Sequence, residues 1–341
     1  MKTVCLRIQD EASLAEAVDR AAKVLREGGV VAFPTETVYG LGANALDAQA
    51  VARIFTAKGR PSNNPLIVHS ASVDGARSLA AEWPESASRL AEAFWPGPLT
   101  VVLPRADRVP SIVTAGGPTV ALRIPRHPVA RALIEASQLP LAAPSANLST
   151  RISAVRADHV LRMLDGRIEM VLDGGRTPGG LESTVVDLSH SVPRILRPGL
   201  LDAASIEAVL GRKLVADGED VPQADATLPS PGMLRKHYAP LVPVFLANDD
   251  GFEMAGKIAV EGALVGWMPL DSSQSATSPP PGVECVVMSS EPVGYAAHLY
   301  EVLHALEVRG VEQIVIQRPP MTNAWQAVQD RLQRAAATDE E

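Results

Sequence analysis

Residues 30–42 read VVAFPTETVYGLG. Val30–Phe33 is an apolar run that predicts a short buried strand, and the loop after it begins with a proline and contains two glycines. Residues 13–27 come before this strand and repeat apolar side chains at helical spacing, with Ser13 and Glu16 forming a predicted capping box. A helix followed by a buried strand is typical of an α/β fold.

The same alternation of strands and helices continues along the chain. Most predicted strands are continuous apolar runs, as expected when helices cover both faces of a sheet. Further strands are predicted at Leu66–His69, Leu99–Leu103, Thr119–Ile124, Leu139–Ala143, Glu169–Leu172, Thr184–Leu188 and Arg194–Leu196, and near 242–246, 262–266, 283–288 and 312–317. Helices are predicted after Asp47, at 85–94, 128–137, 155–164 and 203–211, and near 250–258, 292–308 and 323–337.

The pattern is interrupted once. Residues 213–240 are rich in proline, glycine, aspartate and alanine, and they show no sustained hydrophobic period, so they are predicted to be a linker. The sequence therefore predicts a first α/β domain over residues 1–212 and a smaller βα domain over residues 241–341.

Composition excludes several classes of protein. The formal net charge is −8 and aromatic residues make up 4% of the chain, which disfavours a basic nucleic-acid binder and a base-stacking platform. Cys5 and Cys285 are far apart and form no CxxC pair, so neither a disulfide framework nor a zinc site is predicted. No apolar run is long enough for a membrane span and no signal peptide is visible, so the chain is predicted to be cytoplasmic.

Six short polar segments lie at the ends of predicted strands or helices. Together they supply Lys58, Arg60, Arg123 and Arg197 and several hydroxyls, but neither a nucleophilic triad nor a group of metal ligands. This mixture suits a site that binds a carboxylate and a polyphosphate and works by positioning them. The segments are PTETVYGLG (34–42), KGRPSNNPLIVH (58–69), TVALRIP (119–125), APSAN (143–147) with Ser153, ESTVVD (182–187) and RILRPG (194–199).

Two of these segments allow more than one interpretation. Lys58 and Arg60 could capture phosphate, or they could stabilise the end of a helix through its dipole. Arg123 lies on a predicted central strand, on the same face as Thr119 and Ala121, where burial requires an anionic partner. That partner could be a ligand or a protein carboxylate. His69 ends a strand and could be structural or could contact a ligand.

These motifs, taken in order, resemble the Sua5/YrdC/YwlC family. FPTETVYGLG, KGRPSNNPLIVH, FWPGPLTVVL, TVALRIPRH, APSAN, ESTVVD and ILRPG carry the resemblance within residues 30–200, and SPGMLRKHYAP with the following βα domain resembles the long, two-domain Sua5 form. The resemblance implies a YrdC-like twisted open α/β sheet with a large cavity, and a smaller Rossmann-like C-terminal domain.

The resemblance also implies an activity. Proteins of this family are nucleotidyltransferases that make L-threonylcarbamoyl-AMP from L-threonine, bicarbonate and ATP, with Mg²⁺ offsetting the polyphosphate charge and pyrophosphate released. Partner proteins then transfer the threonylcarbamoyl group to adenosine 37 of tRNA, so contact with tRNA would be indirect.

Site residues follow from the matching motifs. Arg123 would hold the carboxylate of threonine, Lys58 would face the phosphates, and His237 and Tyr238 would contact ATP and act as a lid over the site. The resemblance implies a threonine side of Thr37, His69, Arg123, Ala143 and Ser183, and an ATP side of Lys58, Arg60, Asn64, Thr119, Ser145, Asn147, Ser153, Arg197, His237 and Tyr238.

The sequence departs from the family pattern in two places. After Ser145-Ala146-Asn147 the family continues with glycine and Ser-Pro-Thr, whereas this chain has Thr150 and then Ser153-Ala154-Val155. Near the C-terminus the family shows Asn-Arg-Leu, and here the run is Asp330-Arg331-Leu332. Two other functions remain open: a YrdC-like module that binds nucleotide or RNA without turnover, and O-carbamoylation of another acceptor.

Overall fold

A computed structural model describes residues 2–216, 237–271 and 279–337. These residues form two compact units. The first contains residues 2–149, 154–178 and 182–216, and the second contains 150–153, 179–181 and 237–337. Two short internal segments of the first two thirds of the chain therefore belong to the second unit.

The first unit is a mixed α/β structure. Its strands are β1 Val4–Arg7, β2 Val31–Phe33, β3 Gly40–Asn44, β4 Ile67–His69, β5 Leu99–Pro104, β6 Thr119–Arg123, β7 Leu141–Ala142, β8 Met170–Asp173, β9 Thr184–Asp187, β10 Arg194–Arg197 and β11 Val215–Ala216. Its helices are α1 Glu11–Arg26, α2 Ala48–Lys58, α3 Val73–Arg77, α4 Glu85–Phe94, α5 Pro128–Ser137, α6 Ala157–Leu164 and α7 Ala203–Leu210, with a 3₁₀ turn at Ser111–Thr114.

The strands form one sheet in the order β1-β8-β2-β3-β7-β4-β6-β5-β9-β10-β11. The sheet is mixed: it has parallel pairs such as β4 with β6 and antiparallel pairs such as β5 with β6 and β2 with β3. Successive residues of β2 face opposite sides, so Val31 and Phe33 pack with residues of α1 and α5, whereas Ala32 packs with residues of α2. Both faces are covered there, which explains the continuous apolar runs.

Helix α1 begins earlier than its periodicity predicts. The predicted capping box of Ser13 and Glu16 is wrong: Asp10 is the N-cap, its carboxylate accepts from the Ser13 amide, and the Ser13 hydroxyl completes the box. Aspartate is as good a cap as serine, and it places the first turn three residues earlier. Strands β1 and β3 were also missed from the sequence, since neither shows a clean alternation of its own.

The second unit has a four-stranded parallel sheet in the order β12-β15-β13-β14. The predicted α/β fold class is thus confirmed. In segment 179–181, Gly180 lies so close to a helix of this unit that a Cβ would be 2.3 Å from the carbonyl oxygen of Ala296. The elements are β12 Val244–Ala247, β13 Val265–Met268, β14 Val283–Cys285, β15 Gln313–Gln317, α8 Phe252–Val260, α9 Pro292–Val308 and α10 Gln326–Ala336, with a 3₁₀ turn at Asn323–Trp325.

The predicted linker falls mostly on residues 217–236, which lie outside the described residues. Within the described ranges, no helix combines the length and the apolar character that crossing a membrane requires.

Candidate active site

Candidate residues share one face of the paired strands β4 and β6 in the first unit. Strand β4 pairs with β6 so that His69 lies opposite Arg123. Alternate residues point the same way, and the cluster on this face is built from strand residues alone: Ile67, Val102, Ala121, Val185 and Leu196. Val120, Leu122 and Ile124 point into the main core instead. The two faces predicted for β6 are therefore confirmed.

The two ends of β6 are well separated on this face. Four residue steps of about 3.3 Å place Thr119 roughly 13 Å from Arg123 along the strand. Thr119 is half-buried, and Arg123 is buried. The face can therefore offer different chemistry at each end.

The loop between β2 and β3 supplies a hydroxyl of fixed polarity. Thr35 Oγ1 donates its proton to the carbonyl of Val38 at 2.6 Å. The 2.8 Å hydrogen bond between Thr35 and Thr37 must then be donated by Thr37, because each hydroxyl has one proton. With its proton committed, Thr37 Oγ1 can only accept from further partners.

Arg123 is the centre of an ion-paired cluster. Its Nη2 donates to Glu36 Oε1 at 2.6 Å and to Thr37 Oγ1 at 3.0 Å, and its Nε donates to the carbonyl of Gly97 at 3.2 Å. No described residue forms a hydrogen bond with Nη1. The sequence left open whether the anionic partner of Arg123 is a ligand or a protein carboxylate, and the structure shows that it is Glu36. The prediction that the guanidinium holds a substrate carboxylate with both of its nitrogens is therefore narrowed to a single donor, Nη1.

Glu36 was not predicted as a site residue. Burial favours its neutral form, but the charge and hydrogen bond of Arg123 and the amide of Arg126 outweigh burial, so the pKa of Glu36 lies below its ordinary value. The carboxylate is therefore ionised and fixes Arg123. The sequence signal that could have identified Glu36 is its position between two threonines, in the loop that follows a buried strand.

His69 is buried beside this cluster. Its side chain is 3% exposed, and its Nδ1 has no hydrogen-bond partner among the described residues. Burial, and then the positive charge of Arg123, lower the pKa of His69 from 6.5 to about 3. The imidazole is therefore neutral near pH 7, and an unsatisfied ring nitrogen is available for a ligand.

This shift predicts a pH effect on stability. Between pH 6.5 and about 3 the unfolded chain binds a proton at His69 that the folded chain does not, so the free energy of unfolding rises with pH across this window. His69→Asn should reduce the slope of the free energy of unfolding against pH by up to about 1.4 kcal/mol per pH unit. Urea unfolding at several pH values measures this slope. Parallel curves for the variant and the parent chain would contradict it.

Lys58 holds a neighbouring loop. Its side chain is 2% exposed, and Nζ donates to the carbonyl of Ser145 at 2.6 Å, to Asn147 Oδ1 at 3.0 Å and to the carbonyl of Asn147. All three ammonium protons are used, although burial and then the charge of Arg60 lower its pKa well below the ordinary value. The prediction that Lys58 faces phosphates is corrected: it is directed at protein oxygens.

Arg60 follows the end of α2, where Gly59 has φ +61°. Its Nε donates to the carbonyl of Asn64 at 3.1 Å, and its Nη2 donates to Asn64 Oδ1 and to the carbonyl of Pro65 at 2.8 Å. The amide Nδ2 of Asn64 is buried without a partner among the described residues. A buried unpaired donor of this kind is expected where a ligand acceptor binds.

The remaining first-unit candidates lie on strand β10 or next to strands β7 and β9. Arg197 Nη2 donates to the carbonyl of Ser183 at 2.9 Å and to its hydroxyl at 3.2 Å, and that hydroxyl is 2.8 Å from Thr100 Oγ1. Ala143 is buried directly after β7, and its amide donates to the carbonyl of Ile67 at 2.9 Å. Ser145 donates to Asn147 Oδ1.

Ser153, His237 and Tyr238 belong to the second unit. The Tyr238 ring is 1% exposed and lies between the Arg331 guanidinium at 4.9 Å and the Tyr300 ring at 5.9 Å. Tyr238 therefore packs against α9 and α10, and the lid role predicted for it stays a prediction. Arg331, which the Asp330-Arg331-Leu332 run shares with the family's Asn-Arg-Leu, is fully buried beside this ring.

Two family models match successive parts of the chain. A family model described as telomere recombination, covering Sua5, YciO and YrdC, matches residues 23–199. A second model, described as the C-terminal domain of threonylcarbamoyl-AMP synthase, matches residues 201–337. Threonylcarbamoyl-AMP synthase of Pyrococcus abyssi is 42% identical over 323 residues, which is 93% of each chain.

The chain belongs to the Sua5 family of threonylcarbamoyl-AMP synthases. Another member, from Bacillus subtilis, is 42% identical over 94% of this chain and 92% of its own length. The crystal structure of P. abyssi Sua5 complexed with L-threonine matches with a TM-score of 0.88 and 40% identity, covering 98% of both chains. The family and its long, two-domain form, which the motifs predicted, are confirmed.

Proposed function

We propose that this Sua5-family chain condenses L-threonine, bicarbonate and ATP into L-threonylcarbamoyl-AMP and releases pyrophosphate. The observation that carries the proposal is the strand face that ends in Arg123, Thr37 and His69 on one side and in Thr119 on the other. A small zwitterion and a nucleotide need such separated subsites. The threonine-bound relative supports the same choice.

Threonine would bind at the Arg123 end. Nη1 of Arg123 donates to the substrate carboxylate, and Thr37 Oγ1 accepts from the substrate amine or hydroxyl, since its proton is committed to Thr35. His69 forms a hydrogen bond rather than taking a proton, because a pKa of about 3 makes it a weak base. Ser183 and Ala143 complete this side.

ATP would bind along the cationic residues and the loop held by Lys58. Arg60 and Arg197 would supply positive charge for the phosphates, and the unpaired amide Nδ2 of Asn64 would donate to a phosphate oxygen. Lys58 is a positioning residue here, because it fixes Ser145 and Asn147. Thr119, Ser145 and Asn147 remain proposed ATP contacts. Ser153, His237 and Tyr238 belong to the second unit, and no contact of theirs with the nucleotide is proposed.

The reaction proceeds in two steps. The threonine amine attacks the carbon of bicarbonate to form an N-carboxylate with loss of water. A carboxylate oxygen then attacks the α-phosphorus of ATP, a new P–O bond forms, and pyrophosphate leaves with the electron pair of the broken bond. The protein contributes orientation and fixed donors rather than a covalent intermediate.

Magnesium enters as part of the nucleotide. Residues 2–216, 237–271 and 279–337 contain no group of three or more His, Cys, Asp or Glu side chains that could hold a metal ion. Mg²⁺ is therefore best described as bound to the phosphates of ATP, as MgATP substrate. No step is assigned to a protein-bound metal.

The product is a reactive mixed anhydride and needs an acceptor. We propose that partner proteins take it and modify adenosine 37 of tRNA, with no direct tRNA contact by this chain. The net charge of −8 agrees with an indirect role. The supply of ATP and tRNA would place the reaction in the cytoplasm.

Mass spectrometry tests the proposal directly. The purified full chain, with MgATP, bicarbonate and L-threonine, should give threonylcarbamoyl-AMP together with pyrophosphate, and omission of threonine should remove both. L-serine lacks one methyl group and is the matched control substrate. Nucleotide binding without any product would favour the binding-module alternative.

A further inference from the structure

Thr35 lies beside the residues proposed to bind L-threonine, and its hydroxyl is fully used within the protein. The side chain is 2% exposed. It donates to the carbonyl of Val38 at 2.6 Å, and it accepts from the hydroxyl of Thr37 at 2.8 Å and from the amide of Thr37 at 3.1 Å. A hydroxyl has one proton and two lone pairs, so Thr35 has nothing left to offer a ligand.

Three hydrogen bonds run in one direction from Arg123 to the carbonyl of Val38. Arg123 Nη2 donates to Thr37 Oγ1 at 3.0 Å, Thr37 donates to Thr35, and Thr35 donates to Val38. The guanidinium at one end cannot accept a hydrogen bond, and the carbonyl at the other end cannot donate one. The direction of each bond in this chain is therefore fixed by its two ends.

This direction suits the charge of Arg123. The Thr37 hydroxyl presents its oxygen, the negative end of its dipole, to the cation, and hydrogen bonds in such a chain strengthen one another. Thr37 and Arg123 are both buried, so solvent screens the contact little. Nη2 is thus held by Thr37 and Glu36 together, and the direction of Nη1 follows because the guanidinium is planar and rigid.

We propose that Thr35 is a positioning residue for L-threonine binding. It takes the proton of the Thr37 hydroxyl, so that Thr37 presents a lone pair to Arg123 and the guanidinium presents Nη1 to the substrate carboxylate. The inference rests on the proposed function, since Arg123 binds L-threonine only there. Thr35 acts through Thr37 and has no contact with the substrate itself.

Two substitutions at Thr35 test the role of its hydroxyl. Thr35→Val removes the hydroxyl at nearly constant volume, whereas Thr35→Ser retains it. We expect Thr35→Val to raise the Kd for L-threonine by about 5- to 20-fold, because one hydrogen bond to a charged group is weakened, and Thr35→Ser to stay within about 2-fold of the parent chain. The Kd for ATP should stay within about 2-fold in both. Calorimetric titration of the full chain with each substrate measures these values.

A double-mutant cycle separates the hydrogen-bonded chain from packing. Thr37→Val removes the next hydroxyl, so in that background Thr35→Val should change the Kd for L-threonine by less than about 2-fold. The bonds of Thr35 to the Val38 carbonyl and to the Thr37 amide are lost in both backgrounds, so their contribution cancels.

Thr3→Val is the matched control in the same unit. Thr3 is 6% exposed, and its hydroxyl likewise donates to a carbonyl, that of Ile168 at 2.8 Å, and accepts from an amide, that of Gly166 at 2.9 Å. It is not among the proposed site residues, so the Kd for L-threonine should keep its parental value. Thermal unfolding shows whether each variant is folded, and Thr35→Cys, with its weakly hydrogen-bonding thiol, replaces Thr35→Val if the valine variant does not fold.

An equal effect of Thr35→Val in the parent and in the Thr37→Val background would overturn the inference. A parental Kd in Thr35→Val, or an equal loss in Thr35→Ser, would overturn it as well. Absence of L-threonine binding by the parent chain would instead refute the proposed function, so the two failures are distinguishable.

Discussion

Arg123→Ala is expected to lower threonine-dependent pyrophosphate release by about 100- to 1,000-fold. Nη1 is the donor left for the substrate carboxylate, and a lost charge-assisted hydrogen bond in a buried site costs about 2–5 kcal/mol. A coupled pyrophosphate assay at several threonine concentrations measures the effect. A threonine response at the parental rate would contradict the assignment.

The same substitution should also destabilise the protein. Glu36 is 11% exposed and would lose the guanidinium that keeps it ionised, which costs about 3–5 kcal/mol for a buried pair broken on one side. Arg123→Met combined with Glu36→Gln removes both charges and should recover most of the stability without recovering activity. Arg126→Ala is the control, because its side chain is exposed and Glu36 contacts only its backbone amide.

Lys58→Met is expected to weaken ATP binding by about 10- to 100-fold and leave threonine binding unchanged. The methionine retains the volume of the side chain but removes three hydrogen bonds, each worth about 1 kcal/mol. The carbonyls of Ser145 and Asn147 lose the lysine donor, whereas Asn147 Oδ1 still accepts from the Ser145 hydroxyl. Part of this loss is offset, because the buried ammonium and its repulsion from Arg60 disappear. Calorimetric titration with each substrate separates the two effects.

A double-mutant cycle sharpens this prediction. Asn147→Ala removes one acceptor of Lys58, so the effects of Lys58→Met and Asn147→Ala on ATP affinity should not add. Additive effects would show that Lys58 acts elsewhere. An equal loss of threonine affinity would show that the substitution disturbs the whole fold rather than the loop.

Much of the site could be predicted from the sequence because its residues lie at strand ends. Alternation along Thr119–Arg123 correctly separates the face with the candidate site residues from a face in the main core, and the apolar runs correctly mark the strands beside it. The motifs in their order correctly predict the family. These features depend on adjacent residues or on the spacing of apolar residues along the chain, and both can be read directly from a sequence.

The hydrogen-bond and ion-pair partners of the charged side chains could not be predicted in the same way. Glu36 pairs with Arg123 across 87 residues, and Lys58 reaches Asn147 across 89. A lysine or arginine has several competing acceptors, and which of them it contacts depends on loops brought together by the sheet. The packing of Tyr238 against Arg331 was missed for this reason as well.

The chain passes between its two units four times before residue 216, because residues 150–153 and 179–181 pack with the C-terminal elements. Exchanging the C-terminal part of the gene between relatives would therefore also have to match both internal segments. Arg151 and Glu307, and Gly180 with the turn of α9 at Ala296, should then be inherited as sets, since either partner alone meets a foreign surface. A single junction between the two parts of the gene would therefore not separate the units, although each has its own sheet.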